Sequence, residues 1–170
     1  VHSHLVRVGL RSFSYLTVRS GECLDVHYFA VLIGVGATAV HAYLAEAIIA
    51  DRHARGLFPG LDLESCLARY REAVEQGLLK IMSKMGISII SSYRGGYNFE
   101  AIGLSRTLCR EYFPGLPTRI SGIGLTGIAN RVRMQHAKAF GEAEPPIDVG
   151  GFYRYRRGGE SHALEAAIIH

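Results

Sequence analysis

The chain has 170 residues, of which 48% are hydrophobic and 20% are charged, and 19 Lys and Arg against 15 Asp and Glu give a net charge of +4. This composition is typical of a folded protein with one domain or two small ones, and it excludes a disordered chain. No apolar run reaches the ~18 residues that cross a bilayer, and the mild charge argues against a dedicated nucleic-acid binder. We therefore expect a cytoplasmic protein with no membrane and no nucleic-acid partner.

The first third of the chain predicts short elements of both kinds. Residues 2–11 predict a short helix, and residues 13–18 predict a strand. The run 25–34 is continuously apolar, which is typical of a buried strand in an α/β sheet. Residues 35–56 are rich in Ala and predict a helix with Gly56 as its C-cap.

A longer helix is predicted after a linker at 57–62, which is also the predicted domain boundary. Asp62 is the expected N-cap, and Gly86 is expected to end the helix. Apolar residues recur on one face at steps of three and four. These residues are Leu63, Cys66, Leu67, Tyr70, Val74, Leu78 and Met82.

The second half of the chain predicts a further alternation of short elements. Strands are expected at 87–92 and 152–157, and helical segments are expected at 98–104, 106–113 and 122–140. Ser105 is the expected N-cap of the middle segment, and Ile128 and Val132 are expected to face inward. The mixture of strands and helices predicts the α/β class.

The segment "GVGATAV" at 34–40 has the spacing of a dinucleotide-binding turn. Gly34 and Gly36 supply the first two glycines, Ala39 takes the third place, and the segment is predicted to join a strand to a helix. No acidic residue near 54–56 is present to bind a ribose. A tight strand-to-helix turn without a ligand is therefore the favoured interpretation.

Histidines and cysteines do not predict a metal site. His2 and His4 form an H-x-H pair, which chelates zinc when a third ligand is supplied, but no third ligand lies at a fixed spacing. Cys23, Cys66 and Cys109 are far apart, which argues against a disulfide framework or a zinc knuckle. We expect structural or surface histidines and three reduced, buried thiols.

Two segments are rich in basic residues. "SKMGISIISSYRGG" at 83–96 brings Lys84 and Arg94 together with Ser83, Ser91 and Ser92, which is a candidate anion site, although it has no Walker spacing and no nucleophile–base pair. "YRYRRGG" at 153–159 interleaves aromatic and basic residues, as RNA-binding segments do. An edge strand with a charged outer face explains the second segment without a ligand.

Longer stretches of the sequence carry a family resemblance. "LLKIMSKMGISIISSYRGGYNFEAIGLS", "EYFPGLPTRISGIGL" and "GGFYRYRRGGESHAL" closely resemble the start of the FMN-binding synthase domain of the glutamate synthase large (alpha) subunit. "HSHLVRVGLR" and "SGECLDVHYFAVLIGVGATAVHAYLAEAI" look like the end of that family's central domain. The resemblance implies a mixed α/β fragment, in which residues 1–58 end the central domain and residues 59–170 begin a TIM-barrel-type FMN-binding domain.

The resemblance also implies an activity for the parent enzyme. Ammonia from glutamine would pass through an internal tunnel to 2-oxoglutarate, and reduced FMN would complete the synthesis of L-glutamate. The implied cofactors are FMN and an iron–sulfur cluster, and the implied partners are the other domains of the large subunit and a small NADPH-oxidising subunit. Because the chain begins at Val1 without an initiator Met and ends on "EAAIIH", we expect an internal fragment that is inactive alone and binds no cofactor.

The resemblance assigns no catalytic, cofactor-binding or metal-binding residue within 1–170, because the family's corresponding segments lie elsewhere. The implied role of this chain is to join two domains and to shape the tunnel. Departures from the family pattern occur at Ser3, Val35, His41 and 96–98, and none of them removes a catalytic group. The candidate junction or tunnel residues are Ser83, Lys84, Ser92, Tyr93, Arg94 and Glu100.

Two alternatives stay open from the sequence. A freestanding anion- or nucleic-acid-binding α/β module would use Lys84, Arg94 and the run from Arg154 to Arg157, and it would require a complete chain. A decayed or split gene would give a product that folds poorly. The electron donor of the parent, NADPH or ferredoxin, is not determined by these residues.

Overall fold

The computed structural model describes residues 1–141, 148–151 and 155–162, and the chain divides into two compact units, 1–124 and 125–170. The first unit contains a short 3₁₀ turn at Arg11–Phe13 and two strands, β1 (Thr17–Arg19) and β2 (Ala39–His41). Its helices are α1 (His2–Arg7), α2 (Val26–Gly34), α3 (Tyr43–Ala54), α4 (Leu63–Lys84), α5 (Ile90–Tyr93) and α6 (Arg106–Tyr112). The described part of the second unit contains α7 (Leu125–Ala139).

The strands form a small parallel sheet. Thr17 lies opposite Ala39, and Arg19 lies opposite His41. Helix α2 makes the crossover between them, as parallel strands require. The mixed α/β class is therefore confirmed, although helices dominate and β1 lies later in the chain than the strand predicted at 13–18.

The strand predicted at 25–34 is wrong, because these residues form α2. The Asp25 carboxylate caps the helix by accepting hydrogen bonds from the N–H groups of His27 at 2.9 Å and Tyr28 at 3.2 Å. A continuous apolar run fits a buried helix as well as a buried strand, and periodicity alone does not separate them. The N-cap decides between the two.

Three other predictions of local structure are wrong. The single helix predicted at 35–56 is interrupted, because its first part contains β2 and only its second part is α3. The strand predicted at 87–92 instead contains the start of the one-turn helix α5. The helical turn predicted at 98–104 does not form, and Leu104 makes an isolated parallel bridge with Ile123.

The long helix and its cap are confirmed. The Asp62 carboxylate accepts a hydrogen bond from the Ser65 N–H at 2.7 Å, and α4 ends two residues before Gly86. The Ser105 hydroxyl caps α6 in the same way by accepting from the Leu108 N–H at 3.2 Å. Both caps satisfy amide groups that the first helical turn leaves without a partner.

The core of the first unit lies where α4 packs against α2 and α3. One buried cluster joins Ala30 of α2, Met82 of α4 and Tyr93 of α5. Gly77 of α4 lies so close to Val26 of α2 that a Cβ atom would not fit between the two helices. Because these contacts connect residues on both sides of the predicted boundary at 57–62, this linker does not separate two compact units.

The described part of the second unit is largely exposed. Val132, which was predicted to face inward, is 58% exposed on α7, so that prediction is wrong. The edge strand predicted at 152–157 begins outside the described residues, and the described residues 155–157 are not in a strand. Within the described ranges, no helix combines the length and the apolarity that a bilayer span requires.

Candidate functional site

The glycine turn, residues 34–36, lies at the C-terminal end of α2 and leads the chain toward β2. Gly36 has a φ of +112°, which favours glycine, and its N–H donates to the Ile33 carbonyl at 2.9 Å. The turn therefore follows a helix and precedes a strand. The dinucleotide interpretation is wrong, because no helix N-terminus is present there to bind a pyrophosphate.

The Arg11 side chain ties the N-terminal segment to the glycine turn. One terminal nitrogen of its guanidinium donates to the Ser14 carbonyl at 2.6 Å. The other donates to the Gly36 carbonyl at 2.9 Å and to the Thr38 hydroxyl at 3.1 Å. Arg11 Nε donates to His2 Nδ1 at 3.0 Å. Four acceptors, two of them in the stretch 36–38, therefore converge on one charged donor group.

His2 packs its ring between two glycines. The ring lies so close to Gly36 and Gly95 that a Cβ atom on either residue would collide with it. Burial lowers the pKa of His2 below its ordinary value of 6.5, and the Arg11 guanidinium and the chain's amino group lower it further. Since the His2 Nδ1 atom accepts from Arg11, the neutral ring fits this environment.

The loop 95–97, within the stretch "SYRGGYN", is anchored to the same turn. The Gly95 N–H donates to the Ile33 carbonyl at 3.0 Å, and the Tyr97 N–H donates to the Gly34 carbonyl at 3.2 Å. The Tyr97 and Ser3 hydroxyls are hydrogen-bonded at 3.0 Å. Helix α1, the glycine turn and loop 95–97 therefore meet at one point, which we call the three-way junction.

The predicted junction residues do not form one site. Lys84 and Tyr93 line an apolar cleft of about 330 Å³ between α2, α4 and the chain around Phe99. Ser83 and Ser92 are exposed and do not line this cleft. Lys84, Arg94 and the serines therefore do not converge into the anion site that their spacing suggested.

The other predicted junction residues have separate environments. Tyr93 is 2% exposed, and burial raises the pKa of its phenol. Arg94 is half-buried, and no described residue accepts a hydrogen bond from its Nε atom. The Glu100 carboxylate accepts from the Arg119 N–H at 3.0 Å and pairs with the Arg119 guanidinium at 3.2 Å. Glu100 therefore fixes a loop.

The described cysteines and histidines form no recognisable reactive centre. Cys23, Cys66 and Cys109 are free thiols and buried, and burial raises the pKa of Cys23. A raised pKa disfavours the thiolate, which is the nucleophilic and metal-binding form. Among the described residues, no group of three or more His, Cys, Asp or Glu side chains is placed to hold a metal ion.

Arg11 gives the first test of the three-way junction. We expect Arg11→Met to lower the free energy of unfolding by about 2–4 kcal/mol, because it leaves partly buried carbonyls without their charged donor. Urea unfolding followed by circular dichroism measures the change. Arg55→Met is the matched control, because Arg55 loses only an exposed pair with Asp51 at 3.5 Å. Equal effects of the two variants would contradict the role given to Arg11.

His2 predicts how stability depends on pH. Its pKa is lowered in the folded state, so the unfolded chain binds more protons at acidic pH. The stabilisation is therefore complete above the unfolded pKa of 6.5 and falls as the pH drops below it. Urea midpoints between about pH 7.5 and 5 should fall less in His2→Gln than in the unchanged chain. Parallel pH profiles for the two proteins would show that His2 does not contribute.

Comparison with known proteins identifies the family. The family model described as the glutamate synthase central domain matches residues 1–105. The chain is 61% identical over 170 residues to the glutamate synthase (NADPH) large chain of Azospirillum brasilense, covering 100% of this chain and 11% of the relative.

Two further relatives lead to the same family. The glutamate synthase (NADPH) large chain of Bacillus subtilis is 39% identical, with 100% of this chain and 11% of the relative covered. Ferredoxin-dependent glutamate synthase 2 of Synechocystis is 40% identical, with 95% of this chain and 11% of the relative covered. The chain therefore spans about one-ninth of the length of these curated relatives, and it belongs to the glutamate synthase family.

Proposed function

We propose that this chain is the domain-junction part of a glutamate synthase large chain. The observation that carries the proposal is the 61% identity to a glutamate synthase large chain over all 170 residues. The parent would make L-glutamate from glutamine-derived ammonia and 2-oxoglutarate by reduction. Because two of the relatives are NADPH-type large chains, we propose NADPH as the electron donor, and ferredoxin is the alternative that a third relative represents.

The parent enzyme would need groups and partners beyond these residues. We propose FMN and an iron–sulfur cluster as its cofactors, a small NADPH-oxidising subunit and the remaining large-subunit domains as its partners, and the cytoplasm as its location. FMN would supply hydride transfer when bound. We propose that residues 1–170 hold neither group, and the burial of the three cysteines supports this for the iron–sulfur cluster. We therefore assign no step of the reaction to this chain.

The domain organisation within the parent is also a proposal. We propose that residues 1–58 end the central domain and that 59–170 begin a TIM-barrel-type FMN-binding domain. The central-domain match extends to residue 105, so a test of the boundary must cover both positions. The packing of α4 against α2 and α3 supports a rigid connection rather than a flexible linker.

The environments of the junction residues support a proposal for their role. We propose that Lys84 and Tyr93 present the apolar cleft to the ammonia tunnel of the parent, and that Ser83, Ser92, Arg94 and Glu100 hold the surrounding chain. An apolar cleft with a single ammonium group at its edge suits an uncharged small molecule better than an anion. This environment supports a passage and not a catalytic centre.

The alternative of a freestanding anion- or nucleic-acid-binding module gains no support. Lys84 and Arg94 do not line a common cleft, and Arg154 lies outside the described residues. Arg156 and Arg157 are exposed. All the named relatives are glutamate synthases, so the family does not favour this alternative either.

An assay of the complete polypeptide tests the proposed function. We expect glutamate formation only when glutamine, 2-oxoglutarate and reductant are present together. The 170-residue chain alone is the control, and we expect it to lack both activity and a flavin absorbance band after desalting. Turnover by the complete polypeptide without 2-oxoglutarate, or no glutamate under any condition, would contradict the proposal.

The same assay separates a tunnel role from a structural one. In the complete polypeptide, Lys84→Met should lower glutamine-driven glutamate formation more than ammonia-driven formation, because free ammonia bypasses the tunnel. The matched control is Lys80→Met, which changes an exposed lysine one helical turn earlier on α4. Equal losses of glutamate formation with glutamine and with ammonia would show instead that Lys84 contributes to folding.

A further inference from the structure

The hydrogen bonds of β1 point in alternating directions. The Leu16 carbonyl accepts from the Ala39 N–H at 3.2 Å, and the Ser20 N–H donates to the His41 carbonyl at 3.1 Å. In a parallel ladder, alternate residues direct both backbone groups to the same side. Residues 16, 18 and 20 therefore face β2, and the backbone groups of Thr17 and Arg19 face away from it.

The outer edge of β1 has no partner within the described residues. On the side that faces away from β2, neither Thr17 nor Arg19 makes a backbone hydrogen bond to a described residue. The edge carries no proline, and no bulge interrupts its register. Its short length and the charge of Arg19 are the protection that this edge carries, since unpaired N–H and C=O groups otherwise pair readily with another strand.

The sheet is also smaller than its type requires. Parallel sheets occur almost only where several strands are buried, whereas this one has two strands of three residues each. Val18 and Val40 are half-buried on one face. The opposite face is partly covered by the side chains of Arg19 and Tyr43, because the Arg19 guanidinium lies 4.2 Å from the centre of the Tyr43 ring. The edge, rather than the face, is left open.

Aromatic side chains stand exposed just before this edge. Phe13 is 85% exposed and Tyr15 is 86% exposed, and both precede β1 in an otherwise anchored segment. Two aromatic rings this exposed in neighbouring positions are typical of a surface that another element covers. They lie where the chain enters β1, so an added strand would extend alongside them.

We propose that the outer edge of β1, residues 17–19, pairs with a β-strand supplied by the same polypeptide outside residues 1–170. This inference rests on the proposed function, because it requires the longer parent. The parent is the favoured source since the curated relatives extend far beyond the matched segment, of which this chain covers 11%. Main-chain hydrogen bonds would hold the added strand, as in strand addition to other sheet edges.

Amide hydrogen exchange at single-residue resolution on the complete polypeptide tests this pairing. The Ser20 amide is the internal reference, because its hydrogen bond to His41 is already present. We expect the Thr17 and Arg19 amides to exchange within about tenfold of Ser20. Exchange of both amides about 100-fold or more faster than Ser20 would overturn the inference, since free edge amides lack a partner.

Two further measurements show which partner protects the edge amides and whether the inference or the proposed function has failed. Protection of Thr17 and Arg19 that disappears on dilution would show pairing with a second copy of the chain, and this result would also overturn the inference. Glutamate formation is measured on the same preparation. An active enzyme with an unprotected edge refutes only the added strand, whereas an inactive enzyme with a protected edge refutes only the proposed function.

Discussion

The end of helix α2 is the constraint on which the first unit depends. Its last carbonyls and the glycine turn receive hydrogen bonds from two directions, from loop 95–97 and from Arg11. The His2 ring fills the space that the absent side chains of Gly36 and Gly95 leave open. Backbone carbonyls at a helix end need partners, and here those partners come from segments more than 50 residues apart in the chain. The local requirement of one helix end therefore fixes the tertiary arrangement.

This arrangement supports the proposed role of the chain at a domain junction. The carbonyls of Ile33 and Gly34 connect the segment before α4 to the segment after it without using the long helix itself. Helix α4 makes the second connection by packing on α2 and α3. Two independent connections between the same parts of the chain resist hinge motion. A passage between domains needs walls that stay in place, so this resistance supports the proposed role. The apolar cleft beside Lys84 and Tyr93 lies between these connections.

The sequence predicted what is encoded locally and missed what depends on distant contacts. The caps at Asp62 and Ser105 and the apolar face of α4 follow from short patterns, and they were predicted correctly. The continuous apolar residues of the run 25–34 predict a strand, although the Asp25 carboxylate at its start decides for a helix. Arg11 was not recognised at all. No local pattern marks an arginine whose acceptors lie on Gly36 and Thr38, so only the folded chain reveals its role.

The most direct test of this account is the exchange of the Gly95 and Tyr97 amides in the folded protein. If the end of α2 fixes loop 95–97, these amides should exchange no faster than the Ala37 amide, which donates to the Leu32 carbonyl at 2.9 Å. The hydrogen bonds of loop 95–97 and of the Ala37 amide would then break in a single cooperative unfolding event. Rapid exchange at Gly95 and Tyr97 while Ala37 stays protected would show that the loop moves independently, and would contradict the account.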